Sequence, residues 1–239
     1  MKSLRIAMAA AFVLVAGLTQ AQTADEIISK HIQAIGGKEK IAAIKTLYTE
    51  YDIDVMGQQA PGITYILTGK GYRNEMDFGG QKIIQVVTDK GGWAINPMMG
   101  QTSPEPLPED QVKMNRSNLE PAGPLYDYAS KGHKAELAGT ENVGGVNAFK
   151  LKLNTAEGTE MMFYIDPNTY YILKTVVKAQ VDGQDMETTL VYSDYQKTDY
   201  GYVTANTTEL NLPQGFTLTI KNRKVEVNKE IDPKVFEMQ

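Results

Sequence analysis

Residues 46–56 read Thr46-Leu47-Tyr48-Thr49-Glu50-Tyr51-Asp52-Ile53-Asp54-Val55-Met56. Leu47, Thr49, Tyr51, Ile53 and Val55 alternate with Tyr48, Glu50, Asp52, Asp54 and Met56. An extended chain sends these two sets to opposite faces, whereas a helix would scatter both around its circumference. Period 2 starting at Thr46 therefore predicts a strand with one buried face, the signature of an antiparallel sheet.

The same period recurs downstream. Gly57 to Gly62 reads as a turn, and Ile63-Thr64-Tyr65-Ile66-Leu67 opens a strand running on toward Phe78. Gly79-Gly80 and Asp89-Lys90-Gly91-Gly92 are tight turns around residues 82–88, and Trp93-Ala94-Ile95 follows. From Ala135 onward come strands at 146–153, 160–165, 171–180, 186–195, 202–210, 216–222 and 225–227. Val181-Asp182-Gly183-Gln184 reads as a hairpin turn, and Asp232-Pro233-Lys234-Val235-Phe236 as a capped terminal turn. This amounts to about ten to eleven strands in up-and-down order, one sheet rolled into a barrel or half-barrel.

Upstream the period is 3.6. Thr23-Ala24-Asp25-Glu26 has capping-box spacing, Ile27, Ile28, Ile32 and Ile35 follow at helical intervals, and Gly36-Gly37 ends the run. Residues 38–45 read as a second short helix carrying Ile41 and Ile44. Before these lies a positive start with Lys2 and Arg5, an uncharged apolar run over 6–18, and Thr19-Gln20-Ala21. That is the form of a secretory signal removed after Ala21; a retained anchor is the competing reading, but the run is shorter than the roughly 20 residues a bilayer requires. The expected mature chain is one domain over 22–239, exported to the periplasm and without a later membrane-spanning segment.

Without Lys2 and Arg5, the 24 Lys+Arg fall to 22 against 29 Asp+Glu, a net charge of -7. Nucleic acid and anionic membrane faces, which require clustered cations, are excluded as partners. The chain has no cysteine, so stability must come from a core rather than from disulfides.

Residues 97–134 break the pattern. Six of the ten prolines lie between Pro97 and Pro124, which predicts neither regular strands nor one long helix there. Residues 108–119 could hold a short helix, and Tyr126-Asp127-Tyr128-Ala129 another. Such an excursion is either a lid over one face or a solvated linker; Met98, Met99, Met114, Leu119, Leu125 and Tyr126 make it apolar in the manner of a lid.

Catalytic signatures are missing. The two histidines, His31 and His133, lack metal-ligand spacing, no serine sits in a nucleophile elbow, and no glycine-rich loop opens a helix. Glu50, Asp52 and Asp54 share one polar strand face and read as solvated acids rather than a glycosidase pair. No enzyme, metal or cofactor is called for, although a hydrolase using open-face carboxylates is a third possibility. What abounds is apolar and aromatic mass: 11 methionines, 13 tyrosines and 1 tryptophan. Methionine adapts to irregular greasy shapes, with Met98-Met99 and Met161-Met162 as the clearest pairs; ordinary core filling is the alternative.

The order of these elements resembles a known family. The amphipathic helix, Gly71-Tyr72-Arg73 and Asp89-Lys90-Gly91-Gly92-Trp93-Ala94-Ile95-Asn96-Pro97 resemble the LolA-like periplasmic outer-membrane lipoprotein-sorting proteins, in particular the stand-alone Bacteroidetes-type members. So do Gly123-Pro124-Leu125-Tyr126-Asp127-Tyr128, Tyr164-Ile165-Asp166-Pro167 and Ile231-Asp232-Pro233-Lys234-Val235-Phe236. The resemblance implies an α+β, mainly antiparallel fold: an incomplete, half-open barrel with an N-terminal helix and a helical lid over an apolar cavity. It implies a carrier of lipid or acylated lipoprotein cargo, working without cofactor; the alternative is an envelope interaction or stress-sensing module with a protein partner and no cargo. By order, Arg73 matches the arginine that latches the family's lid, although Asn74 stands where the carriers usually have proline. On the residues alone Arg73 is equally a surface arginine opposite Glu75 or Asp77. Trp93, Met98, Met99, Leu125, Tyr126, Phe149, Met162, Tyr171 and Phe216 are the remaining ligand-binding candidates.

Overall fold

The computed structural model describes residues 22–55, 57–181, 184–212 and 215–238. Residues 1–21, where a secretory signal is expected, and Asp182 and Gly183 of the expected hairpin turn lie outside the described residues. The chain opens with α1 (Ala24–Ala34) and α2 (Lys38–Ala42), followed by β1 (Thr46–Val55), β2 (Gln58–Leu67), β3 (Gly71–Phe78), β4 (Gln81–Thr88), β5 (Gly92–Asn96) and β6 (Gln101–Pro106). After α3 (Glu109–Asn115) come β7 (Lys134–Val143), β8 (Val146–Asn154), β9 (Glu160–Ile165), β10 (Ile172–Val181), β11 (Gln184–Lys197), β12 (Val203–Asn211) and β13 (Thr217–Val227). Short 3-10 turns sit at Pro97–Met99, Arg116–Leu119 and Pro233–Phe236.

All thirteen strands form one antiparallel sheet, ordered β6-β5-β4-β3-β2-β1-β13-β12-β11-β10-β9-β8-β7 and not closed on itself. The first and last strands meet in the middle, with Leu47 opposite Val227 and Ile53 opposite Ile220. The half-open antiparallel barrel is therefore present. Its strands differ from the expected ten to eleven for local reasons: one begins early, one expected strand is two, one is unexpected, and the expected strands at 216–222 and 225–227 are the single β13. Strand β2 begins at Gln58, because Asp54 caps the turn by accepting from the Gly57 amide at 2.7 Å, so Gly57 to Gly62 is mostly strand. Residues 63–78 are two strands hinged at Gly69, whose φ of +69° suits glycine. Finally, Gln101–Pro106 is a strand despite Pro104 and Pro106, since β6 is an edge with one ladder to satisfy, and proline is tolerated there.

The helical start forms as its residues dictate. Thr23 accepts from the Glu26 amide and Glu26 from the Thr23 amide, completing the capping box, and Ile27, Ile28, Ile32 and Ile35 are buried. The second helix stops at Ala42, short of Lys45. Residues 126–129 form turns rather than a helix, with Asp127 at φ +49°.

Strands β6 and β7 are opposite edges of the sheet, so residues 107–133 must travel from one to the other. They do so across the concave face. Helix α3 packs on β10 while the 3-10 turn after it packs on β2, β3 and β4. One short segment can touch both halves only if the sheet curls around it.

Packing divides the molecule into three regions. Tyr51, Ile53 and Ala60, with Met76, Phe78, Leu218 and Ile220 against them, fill the concave side where β1 ends and β13 begins. Glycine at 62 is required there, because a Cβ would fall within the Tyr51 ring. Helix α1 packs on Leu151, Leu153, Phe163, Ile165 and Tyr202 at the other end. On the convex face a third cluster, Ile84, Val86, Trp93 and Phe236, seats the C-terminal turn.

Candidate functional site

Between the flap and the sheet lies a cavity of about 660 Å³, within the roughly 300–1,000 Å³ range of small-molecule pockets. The two faces of each strand decide what lines it. Met161 and Phe163 from β9, Thr175 and Val177 from β10, and Leu190 and Tyr192 from β11 form one wall. Ile66 of β2 and Tyr72 of β3 face them from the far side. Met114, Leu119 and Leu125 of the flap form the roof, and His31 of α1 with Ile35 just after it forms one end.

The strand side of the lining is largely apolar with hydroxyls set into it, whereas Lys113, Arg116, Glu120 and Lys131 of the flap and Glu157 of the turn before β9 add charged groups. Burial pushes the phenols of Tyr72, Tyr192 and Tyr195 above their ordinary range, with the Thr175 hydroxyl pulling Tyr192 the other way. Burial likewise moves Tyr202 up to about 12, opposed by Thr204. All four are therefore neutral at physiological pH. Tyr195 donates to the Ile172 carbonyl at 2.7 Å and stacks on Tyr171 with centroids 4.4 Å apart.

The flap is tied down by named bonds. The Tyr202 hydroxyl donates to the Pro121 carbonyl at 2.6 Å, and the Gly69 amide to the Leu119 carbonyl at 3.0 Å. Lys131 donates to the Tyr126 carbonyl at 2.8 Å and pairs with Glu120 at 3.5 Å. Tyr128 donates to Asp25 of α1, and that carboxylate raises its phenol to about 12. Beside this contact is a smaller hollow of about 260 Å³ between α1 and residues 125–129.

Of the residues singled out by sequence, Leu125 lines the main cavity and Tyr126 the smaller hollow. The others lie elsewhere. Arg73 is on the convex face: its Nε donates to Glu75 at 2.6 Å, its Nη1 to the Val235 carbonyl at 2.7 Å, and its guanidinium covers the Trp93 ring at 5.4 Å. Trp93 in turn donates to the Phe236 carbonyl at 3.1 Å. Both residues clamp the C-terminal turn instead of the flap, because Tyr72 takes the inward position and alternation turns its neighbour out. Met162 is turned outward by the same rule, between Met161 and Phe163. Met98, Met99 and Phe216 are exposed. Phe149 stacks on Tyr170 at 6.4 Å and Tyr171 on Tyr195 at 4.4 Å, and neither lines the cavity.

Sequence reasoning missed Tyr72, Phe163 and Tyr192, and of the Met161-Met162 pair it carried the outward member forward as a candidate. The signal for them was present: inward positions in β9 follow from the Phe163-Ile165 parity shared with Leu151 and Leu153. Among the described residues no group of carboxylates, histidines or cysteines is arranged to hold a metal ion.

No protein-family model matches the chain, and no curated protein matches it significantly. Solved structures do. A DUF1329 family protein from Desulfovibrio piger superposes with a TM-score of 0.61 at 14% identity, covering 92% of this chain and 100% of that one. A LolA superfamily protein from Nitrosomonas europaea gives 0.58 at 11% identity, covering 91% and 98%. A putative outer membrane lipoprotein-sorting protein domain from Vibrio parahaemolyticus gives 0.55 at 13% identity, covering 88% and 94%. At these identities the likeness is one of fold, and the fold is LolA-like.

Proposed function

We propose that this LolA-like chain is a periplasmic carrier that holds the acyl chains of a lipid or acylated protein, with no covalent chemistry. The observation that carries this reading is the 660 Å³ cavity roofed by the flap over the concave sheet. If a methylene takes roughly the ~30 Å³ of a water molecule, the space admits on the order of 20 of them. Withdrawing a dozen methylenes from water contributes about 10 kcal/mol before ordering costs. That is ample for micromolar binding without charged anchors. Among the described residues no helix is long and apolar enough to cross a membrane.

The test is organic extraction of gently purified protein followed by mass spectrometry, with displacement of an apolar fluorescent probe by fatty acid as the second measurement. Co-purified lipid and micromolar displacement support a carrier. Delipidated protein that ignores acyl ligands would leave an envelope interaction module acting through its surface.

A further inference from the structure

His31 is the one ionisable side chain of α1 that the fold hides, at 3% exposure. Its Nδ1 lies 2.8 Å from the Tyr170 carbonyl. A carbonyl can only accept, so the bond places the proton on Nδ1 and leaves a bare lone pair on Nε2. Burial holds the imidazole below its ordinary range, which keeps it neutral and preserves that lone pair. The carbonyl that sets this tautomer is itself fixed. Tyr170 has φ +58°, its amide donates to Asp166 at 2.9 Å, its ring stacks on Phe149, and Lys30 bonds its hydroxyl at 3.1 Å.

His31 also lines the cavity, and among the described residues nothing donates to its Nε2. Across the cavity, Tyr72 presents a hydroxyl that likewise has no protein partner among the described residues. Nε2 opens on the cavity instead of being sealed, so water can meet it when no ligand is bound. A ligand that displaces this water without donating leaves the acceptor unmet, which is costly. We propose that the cavity selects acyl compounds carrying a hydrogen-bond donor beside the chain, a hydroxyl or an amide N–H, with His31 Nε2 as the acceptor. Compounds whose polar group can only accept, such as simple esters, are disfavoured. This rests on the acyl-binding reading and specifies its ligand class.

The experiment compares three probes of equal chain length, dodecanol, N-methyldodecanamide and methyl dodecanoate, by displacement of an apolar fluorophore. The expected result is that one or both donors bind about tenfold tighter than the ester, the size of one unmet buried acceptor. Which donor gains more separates a hydroxyl source from an amide source. The preference should vanish in His31→Leu and survive in His31→Gln, whose amide oxygen still accepts. In wild-type protein the His31 Nε2 nitrogen resonance should shift on adding the preferred donor, a readout independent of how the variants fold. Equal affinity for all three probes, or a preference that persists in His31→Leu, overturns the proposal while the carrier reading stands. Failure of every probe to bind removes the carrier reading and the proposal with it.

Discussion

Replacing Tyr202 with Phe removes one atom and tests whether the flap is held where the structure places it. Tyr202 is 6% exposed, and its hydroxyl reaches the Pro121 carbonyl at 2.6 Å. The ring stays, so its packing against Ile35 and Leu125 should survive. What is lost is the short bond to Pro121 together with the Thr204 hydroxyl's bond to the phenol, and the Pro121 carbonyl is left facing an apolar ring. A bond of this kind is worth about 1–2 kcal/mol, so the flap should open roughly 5- to 30-fold more often. Amide exchange reads this directly. Gly69, which donates to Leu119 in the flap, and Gly123, which donates to Glu120, should exchange faster by that factor. Amides of β1 and β13 in the middle of the sheet should change little. Arg73→Ala is the contrasting variant: it should speed exchange at Val235 and Glu237 in the C-terminal turn and leave the flap alone. If Tyr202→Phe left Gly69 and Gly123 unaffected, or if Arg73→Ala released them, the assignment of the flap's fastenings would be wrong.

Val177→Trp places a large ring in the cavity wall and should weaken acyl binding about tenfold or more, at an overpacking cost of about 1–3 kcal/mol; unchanged fatty-acid displacement would locate the ligand elsewhere. Gly71→Ala puts a Cβ 2.8 Å from the Phe236 ring, so melting should fall by about 2–4 °C for each kcal/mol of strain. Because Trp93 bonds the Phe236 carbonyl, that variant should also shift tryptophan emission, and an unchanged spectrum would show that the turn is not seated there. Burial lowers the folded-state affinity of His31 for protons, so between the ordinary imidazole value and the depressed one the unfolded chain binds more. Stability should therefore decline as pH falls through this window. Part of that slope should disappear in His31→Gln, the remainder belonging to His133, which burial also depresses; denaturant melts at several pH values that show identical slopes would contradict it.

The fold was legible because period 2 persists through most of the chain, and a meander needs little else. The strand from Thr46 follows its alternation with Leu47, Tyr51 and Ile53 buried, but Tyr48 of the other face is buried too, against Tyr65 and Lys229. Misreadings arose where backbone chemistry overrides composition. Prolines at 104 and 106 argue against a strand unless the strand is an edge, and edge status is a property of the assembled sheet. The site was less legible for a sharper reason. Met162 and Arg73 each stand one residue from an inward position, and a one-residue error reverses the face. The alternation around both is weak, since Met161-Met162-Phe163 is apolar throughout and Tyr72-Arg73-Asn74 mixes types. Exposed Met98, Met99 and Phe216 mislead in the opposite way: apolar residues suggest burial, yet turn tips lack neighbours to provide it.

The division between a filled and a hollow half explains how a chain without disulfides can keep an open interior. Where β1 ends and β13 begins, Tyr51, Ile53, Met76, Phe78, Leu218 and Ile220 interdigitate and the concave face is solid. At the other end, α1 seals the sheet through Ile27, Ile28 and Ile32, with Ile35 just past its end. Between these, inward positions go to Thr175, Val177 and Leu190, side chains too short to meet across the curl. The topology then supplies the cover. Since β6 and β7 are opposite edges, the connection has to cross the mouth, and Pro106 and Pro108 keep it from lengthening the edge strand instead. Its fastenings combine a few polar bonds with buried Val112, Leu119 and Leu125, the last packed into the cluster under α1. A roof built on a connection is less tied than walls built on strand ladders, and a cavity exchanges its contents through the cover that opens first.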